Sequence, residues 1–344
     1  MNKKVAVAMS GGVDSSVAAA LLKQQGYDVF GVTMQVWKNT QDVAISDAQI
    51  IARRLGIPHQ VLDLREVFKK QIVNYFTNEY LLGRTPNPCV ECNRRIKFGE
   101  LLDLAKSMGA DYIATGHYAK IVQEQDRYLL KKSHSVNKDQ TYPLYHLTQK
   151  QLANIIFPLA DYDKNEIRKL AKDFNLEVAD KADSQDICFI ANHDYAAFIE
   201  EQTGIKMRYG NFVDKCGNIL GQHKGIYRYT IGQRKGLGIA TGKPVFVSCI
   251  NVAKNELVLG DEEDILFESL LVNNLNFISV DKITEPTKAN VKIRYGAKEV
   301  EAMLIPQKKD LLKVEFKIPQ RAATAGQSAV FYQGDVVLGG GIIQ

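Results

Sequence analysis

Three short stretches carry residue types that could do chemistry. Ala8-Met9-Ser10-Gly11-Gly12-Val13-Asp14-Ser15 takes an apolar run into a Ser-Gly-Gly turn. Adjacent glycines let backbone N–H groups converge on one point without Cβ interference, forming an anion nest. A helix expected over Ser15–Gln25 and closed by Gly26 aims its positive end at the same point. A pyrophosphate would be held there. The Lys-[Ser/Thr] pair and longer glycine spacing of a Walker A loop are missing. In the second stretch, Arg84-Thr85-Pro86-Asn87-Pro88-Cys89-Val90-Glu91-Cys92-Asn93, two prolines stiffen a loop before a Cys-x-x-Cys, and Arg94, Arg95 and Lys97 follow. Nearby cations stabilise a thiolate, so lowered thiol pKa values are expected. By itself a Cys-x-x-Cys reads as zinc, iron–sulfur, redox or incidental. A structural zinc site needs four ligands, and no second such pair supplies them. The third stretch, Asp180 to Ile190, puts Cys188 where a polar loop meets a strand-like segment, a place for a usable thiol. Cys216, in a turn, and Cys249, in an apolar run, read as structural or incidental.

The elements that must position these residues alternate along the first half. Strands are expected at Val5–Met9, Val29–Met34, His59–Leu62 and Tyr112–Thr115, with helices at Ser46–Leu55 and Phe98–Met108. Alternation at this pace implies a doubly wound parallel sheet covered on both faces, an α/β class. Ligands in such sheets gather at the carboxyl ends of the strands. The Gly11-Gly12 loop, Met34 and Gly116-His117 would share that edge. Further helices are expected at Lys164–Phe174 and Tyr195–Glu201. From Thr203 onward short β-type runs punctuated by glycine take over. The expected division is a catalytic domain over 1–202, a small β-rich domain over 203–268 and a β-barrel over 269–344. The barrel's strands would include Ala289–Arg294, Lys313–Phe316 and Ala329–Tyr332.

The 344 residues are too many for one compact core, and a 45% hydrophobic fraction is that of an ordinary globular chain. The N-terminal apolar run is too short for a membrane span or a signal peptide, so no membrane partner is expected. Five cysteines without secretory context point to reduced thiols and a cytoplasmic protein. A formal charge of +5 is a mild hint of a polyanionic partner. No helix face is left obviously unassigned, so a monomer is expected.

The Ser-Gly-Gly-x-Asp-Ser stretch resembles the signature of the PP-loop ATP pyrophosphatases, which have a HUP-like fold. In combination with Gly83-Arg84-Thr85-Pro86-Asn87-Pro88, Ala114-Thr115-Gly116-His117-Tyr118, Lys138-Asp139-Gln140, Asp183-Ser184-Gln185-Asp186-Ile187-Cys188-Phe189, Tyr229 to Gly238 and Gly326 to Tyr332, the whole chain resembles the tRNA-uridine 2-sulfurtransferases. The resemblance implies thiolation of position 2 of the wobble uridine in the anticodon loops of tRNAs for Lys, Glu and Gln. ATP with Mg²⁺ would lie on Ala8, Met9, Ser10, Gly11, Gly12, Val13, Asp14 and Ser15, with Met34 and Gly116 near the nucleoside. A uridine carbonyl oxygen leaves poorly and must first be adenylated, with pyrophosphate expelled. By resemblance, Cys188 carries a persulfide sulfur delivered by a partner protein, and Cys92 closes a disulfide with it. Asn87, Pro88 and Cys89 match the stretch that touches the target base. His117, Lys138, Asp139, Gln140, Arg294, Tyr295 and Gln327 match tRNA-contacting positions. The basic, aromatic segment Tyr227-Arg228-Tyr229 to Arg234-Lys235 also suits RNA.

The chain departs from the best-known members at Cys89, where they carry Asp. This makes a set of three cysteines, Cys89, Cys92 and Cys188, that resembles the ligand set of thiolases using a 4Fe-4S cluster. Thiolation through such a cluster is the alternative expectation, and another PP-loop tRNA or nucleotide ligase a second one. The stretch Trp37–Ser46 is short, and Tyr142-Pro143-Leu144-Tyr145 differs from the usual aromatic-rich version.

Overall fold

The computed structural model describes residues 2–37, 42–179, 181, 187–190, 194–308 and 310–344. Strands β1 (Lys4–Ala8), β2 (Asp28–Gln35), β3 (His59–Asp63) and β4 (Tyr112–Ala114) come first. A hairpin, β5 (Ala119–Glu124) and β6 (Arg127–Lys132), precedes the short β7 (Ile155–Ile156). Five of these form a sheet in the order β3-β2-β1-β4-β7, and each pairing is parallel. Val5, Ala6 and Val7 are wholly buried, as a parallel strand covered on both faces requires. Helices Val13–Gln24 and Asp42–Leu55 pack on one face and helix Leu101–Ser107 on the other. Strand order reverses between β1 and β4. That crevice at the carboxyl ends is the binding position of an open α/β sheet.

Two helix starts differ from expectation. The first helix begins at Val13, because Gly12 in extended conformation (φ −103°, ψ 167°) already caps it. The Cys-x-x-Cys lies on a helix and not in a loop. Asn87 accepts from the Cys89 and Val90 amides at 3.1 and 3.3 Å, and Pro88 takes the first helical position. Proline there needs no amide donor and has the helical φ, so the residue that reads as a loop stiffener starts a helix. The helical run continues as α over Pro88–Glu91, π over Cys92–Glu100 and α over Leu101–Ser107.

Beyond helix Tyr195–Thr203, strands β8 (Gly210–Val213), β9 (Ile219–His223), β10 (Phe246–Asn251) and β11 (Glu256–Gly260) form a small sheet, order β10-β11-β8-β9. Its core holds Phe212, Tyr229, Val247 and Leu257. Tyr227 and Tyr229 are buried, and Arg228 pairs with Glu200 at 2.5 Å. These rings therefore offer no stacking platform, contrary to the reading of this segment as an RNA-binding surface. Arg234 and Lys235 do stay exposed and line a cavity of about 700 Å³ with Arg321. Cys249, expected inside an apolar pattern, is exposed on β10.

The last unit contains β12 (Leu266–Phe277), β13 (Thr287–Lys292), β14 (Val300–Pro306), β15 (Leu312–Arg321), β16 (Ser328–Gln333) and β17 (Val336–Ile343). They run in the order β12-β15-β14-β13-β16-β17, and β12–β17 pairing closes the barrel. The β5–β6 hairpin, from the first half of the chain, adds to this sheet at β17 through Val336 and Lys131. Tyr142 and Tyr145, both fully buried, donate to the Ser328 carbonyl (2.8 Å) and Ser328 Oγ (3.1 Å). One hydrophobic cluster contains residues of the parallel sheet and of the barrel together, among them Ala6, Phe98, Tyr142, Ile278 and Val330. The α/β unit and the barrel share a core.

Candidate active site

The Ser-Gly-Gly turn leaves β1 at the crevice and is locked by its own hydroxyls. The Ser10 amide donates to Ser15 Oγ at 3.1 Å, and Ser15 and Ser16 Oγ donate to the Gly12 carbonyl at 3.2 and 2.7 Å. Gly11 has φ +68°, and a Cβ on it would run into the Ala44 carbonyl oxygen. Gly116 lies against the first turn of the helix that follows, since a Cβ there would stand 2.7 Å from both Asp14 C and Ser15 N. The expected Ala8–Ser15 loop and Gly116 thus meet. Met9 and Val13 serve the core, and Met34 is half-buried at the end of β2.

Residues that sequence reasoning missed complete this edge. Lys164 Nζ donates to both Asp14 carboxylate oxygens at 2.7 and 2.9 Å, and the Tyr118 hydroxyl donates to Oδ1 at 2.8 Å. Lys181 Nζ reaches the Gly11 carbonyl at 3.1 Å and Asp47 at 2.7 Å. Two ammonium groups therefore flank an anion nest. Nothing local marked either lysine, because each is brought to the turn by folding from more than a hundred residues away.

Cys89, Cys92 and Cys188 come within electrostatic reach of one another and of Lys97. Cys92 and Ile187 pack on one hydrophobic cluster with Met34, which joins the thiols to the carboxyl edge of the sheet. Lys97 also faces His117, the neighbour of Gly116. Of the stretch Asp183–Phe189, only Ile187, Cys188 and Phe189 are described; Asp183, Ser184, Gln185 and Asp186 lie outside the described residues.

The expected lowering of the thiol pKa is reversed. Burial pushes Cys92 up to about 12 and Cys188 up to about 11, with the neighbouring thiols adding to it and Lys97 opposing. Cys89 is raised by burial as well. Cys89 and Cys188 keep exposed surface, but the protein mass around their sulfurs disfavours the thiolates. Arg94 and Arg95 do not help, because they turn to the buried Glu91 at 3.8 and 2.5 Å. The iron–sulfur expectation fits poorly too. Among the described residues no three His, Cys, Asp or Glu side chains are grouped to hold a metal ion.

The expected tRNA-facing residues divide. Tyr295 is exposed on the barrel and faces Cys89, Lys138 and Asp139. Arg294 is exposed and donates to the Arg321 carbonyl at 3.3 Å. Several others are bonded within the protein. His117 is buried against Phe98 and Phe157, bonded to Thr115 Oγ1 at 2.7 Å, and burial pushes its pKa well down. Asp139 accepts from Thr141 Oγ1 at 2.6 Å, Gln140 accepts from the Tyr118 amide at 2.9 Å, and Gln327 donates to the Thr85 carbonyl at 2.7 Å. These hold the loops around the thiols. Asn87 is the helix cap and Pro88 is buried.

Among the described residues, no helix is long and apolar enough to cross a membrane. Residues 3–192 match the tRNA methyl transferase HUP domain, 196–261 the tRNA methyl transferase PRC-barrel domain and 267–343 the aminomethyltransferase β-barrel domain. The tRNA-specific 2-thiouridylase MnmA of Acetivibrio thermocellus is 53% identical, with 99% of each chain covered. That of Clostridium acetobutylicum is 52% identical with 100% of each covered, and that of Clostridioides difficile 51% identical with 100% of this chain and 99% of its own covered. With a nest at the switch point of the sheet, three neighbouring thiols and end-to-end identity of this order, the chain belongs to the MnmA family of tRNA-specific 2-thiouridylases.

Proposed function

We propose that this protein replaces the 2-oxygen of the wobble uridine in tRNAs for Lys, Glu and Gln by sulfur, with ATP and Mg²⁺ activating the oxygen. The uridine O2 attacks the α-phosphorus, and pyrophosphate leaves into the Gly11-Gly12 nest. Backbone N–H groups and the flanking Lys164 and Lys181 ammonium groups offset the charge developing there. A persulfide on Cys188, charged by a sulfur-carrying partner, attacks C2 through its outer sulfur, and AMP departs with the former O2. The Cys92 thiolate then attacks Cys188 Sγ. The S–S bond to the transferred sulfur breaks, 2-thiouridine is released and a Cys92–Cys188 disulfide forms. An external dithiol restores both cysteines.

The target base must turn out of the anticodon stack to reach this crevice. Cys89, exposed at the start of its helix, and Tyr295, reaching over from the barrel, frame the approach. The observation that carries the proposal is the reach of Lys97. Its charge acts on the three thiols and on His117, and the preceding Gly116 packs against Asp14 and Ser15 at the start of the first helix. Nucleotide chemistry and sulfur chemistry are then neighbours.

The test is incubation with ATP, Mg²⁺, a persulfide donor and unmodified tRNA, followed by mass spectrometry of the digested nucleosides. Formation of 2-thiouridine, with one AMP per sulfur transferred, is expected. A wild-type reaction that releases AMP but forms no thiolated nucleoside would point to a different PP-loop ligase.

A further inference from the structure

The helix that carries Cys89 and Cys92 has an unusual middle. Residues Cys92–Glu100 are π-helical, with hydrogen bonds from i to i+5. In an α-helix, five residues carry a side chain about 140° around the axis. The wider π turn brings position i+5 back towards the face of position i. Lys97 is five residues beyond Cys92, so this local backbone choice turns it towards the face of Cys92, and its charge acts on that sulfur. Arg94 and Arg95, on the same run, are instead bound to the buried Glu91. Lys97 is half-buried and, among the described residues, makes no hydrogen bond or ion pair. A half-buried ammonium with no fixed counter-charge is open to pairing with an anion.

Among the described residues, the charged and titratable groups around the sulfurs are few. Lys97 comes from the helix, Cys188 and Cys89 face Cys92, and Tyr295 from the barrel faces Cys89. His117, at the end of the parallel sheet, faces Lys97 and is held neutral by burial. Lys97 is thus the single permanent cation acting on all three sulfurs among the described residues.

We propose that Lys97, placed by the π turn, is the positioning residue for sulfur: it is the counter-cation that holds the Cys188 and Cys92 sulfur anions in the crevice. The proposal deepens the thiolation reading, on which it rests, by naming the cation that favours anionic sulfur where burial disfavours it. No proton leaves or joins Lys97 in this role. The ammonium stays charged while the sulfur anion forms, attacks and is consumed.

The test needs neither tRNA nor ATP, so its failure is separable from failure of the thiolation reading. In the full-length chain with Cys216→Ser and Cys249→Ser, iodoacetamide labelling of Cys92 and Cys188 is followed by peptide mass spectrometry from pH 6 to 10. Lys97→Met should slow labelling of both cysteines about tenfold at pH 8, displacing the profile by about one pH unit to higher pH. Lys97→Arg should restore most of the rate, and Arg94→Gln should leave the profile in place. A Lys97→Met protein that melts like wild type with an unchanged profile overturns the proposal, as does an equal displacement by Arg94→Gln. If Lys97→Met fails to fold, Lys97→Gln and Lys97→Arg are compared instead. Equal labelling in those two overturns it as well.

Discussion

The Gln327 side-chain amide donates to the Thr85 backbone carbonyl at 2.7 Å, joining the last barrel hairpin to the segment that leads into the cysteine helix. The Thr85 amide donates in turn to the Ala325 carbonyl at 2.8 Å. Two residues after Thr85, Asn87 caps the helix of Cys89 and Cys92. The barrel therefore sets where the thiols stand. Removing one net hydrogen bond costs about 1 kcal/mol. Gln327→Ala should lower stability by about that amount in urea unfolding and raise the KM for tRNA several-fold while leaving the KM for ATP alone. Equal effects on both KM values would mean that the strap does not act through the cysteine helix.

Gly116 touches the first turn of the first helix so closely that no side chain fits. A methyl group there would stand 2.7 Å from the backbone of Asp14 and Ser15, which cannot move without opening the nest. Displacing reacting groups by an ångström costs on the order of 10²-fold in rate. Gly116→Ala should therefore cut tRNA-dependent pyrophosphate release by about that factor in a protein that remains folded by circular dichroism. Retention of wild-type release would separate the nest from catalysis.

Cys89 occupies the first turn of its helix, where a carboxylate suits the positive end. A persulfide route needs Cys92 and Cys188 alone. Cys89→Asp should keep at least about a tenth of wild-type thiolation, whereas Cys92→Ser and Cys188→Ser should abolish it. Complete loss in Cys89→Asp, with the protein folded, would return the three-thiol cluster to consideration.

His146 is a pH sensor of stability. It is buried, its Nε2 has no partner among the described residues, and its ring is tilted against Tyr145 with centroids 3.9 Å apart. Burial, with Arg94 and Arg95 adding, lowers its pKa to about 3. The unfolded chain takes up a proton near pH 6.5 that the folded chain refuses. Stability is therefore complete above about pH 6.5 and falls as the pH drops towards 3, by about 1.4 kcal/mol per unit at most. Between pH 7 and 4, wild type should lose about 3 kcal/mol more than His146→Gln, measured by urea unfolding. Equal losses would show that this ring protonates as easily in the folded state as in the unfolded one.

Much of the architecture was legible in the chain because the signals are local. The apolar run of Val5, Ala6 and Val7, the Ser-Gly-Gly turn and the helix after it follow one another within about twenty residues, so spacing alone specifies a nest at a sheet edge. The switch to short glycine-punctuated strands after Thr203 announces β units in the same way. Pro88 was misjudged because proline serves a loop and a helix start equally well, and only the Asn87 cap distinguishes them.

What the tertiary structure decided is what depends on distant neighbours. Lys164 and Lys181 reach the nest, the β5–β6 hairpin joins the barrel, and Tyr227 and Tyr229 enter a core, each through contacts no window of sequence contains. The thiols make the point most sharply. Sequence places three cations beside Cys92 and so argues for an acidic thiol, but two of them fold onto Glu91 and the third is outweighed by the burial of the sulfur. Residue types are written along the chain, whereas desolvation is set by whatever packs around a group from elsewhere, and here desolvation is the larger effect.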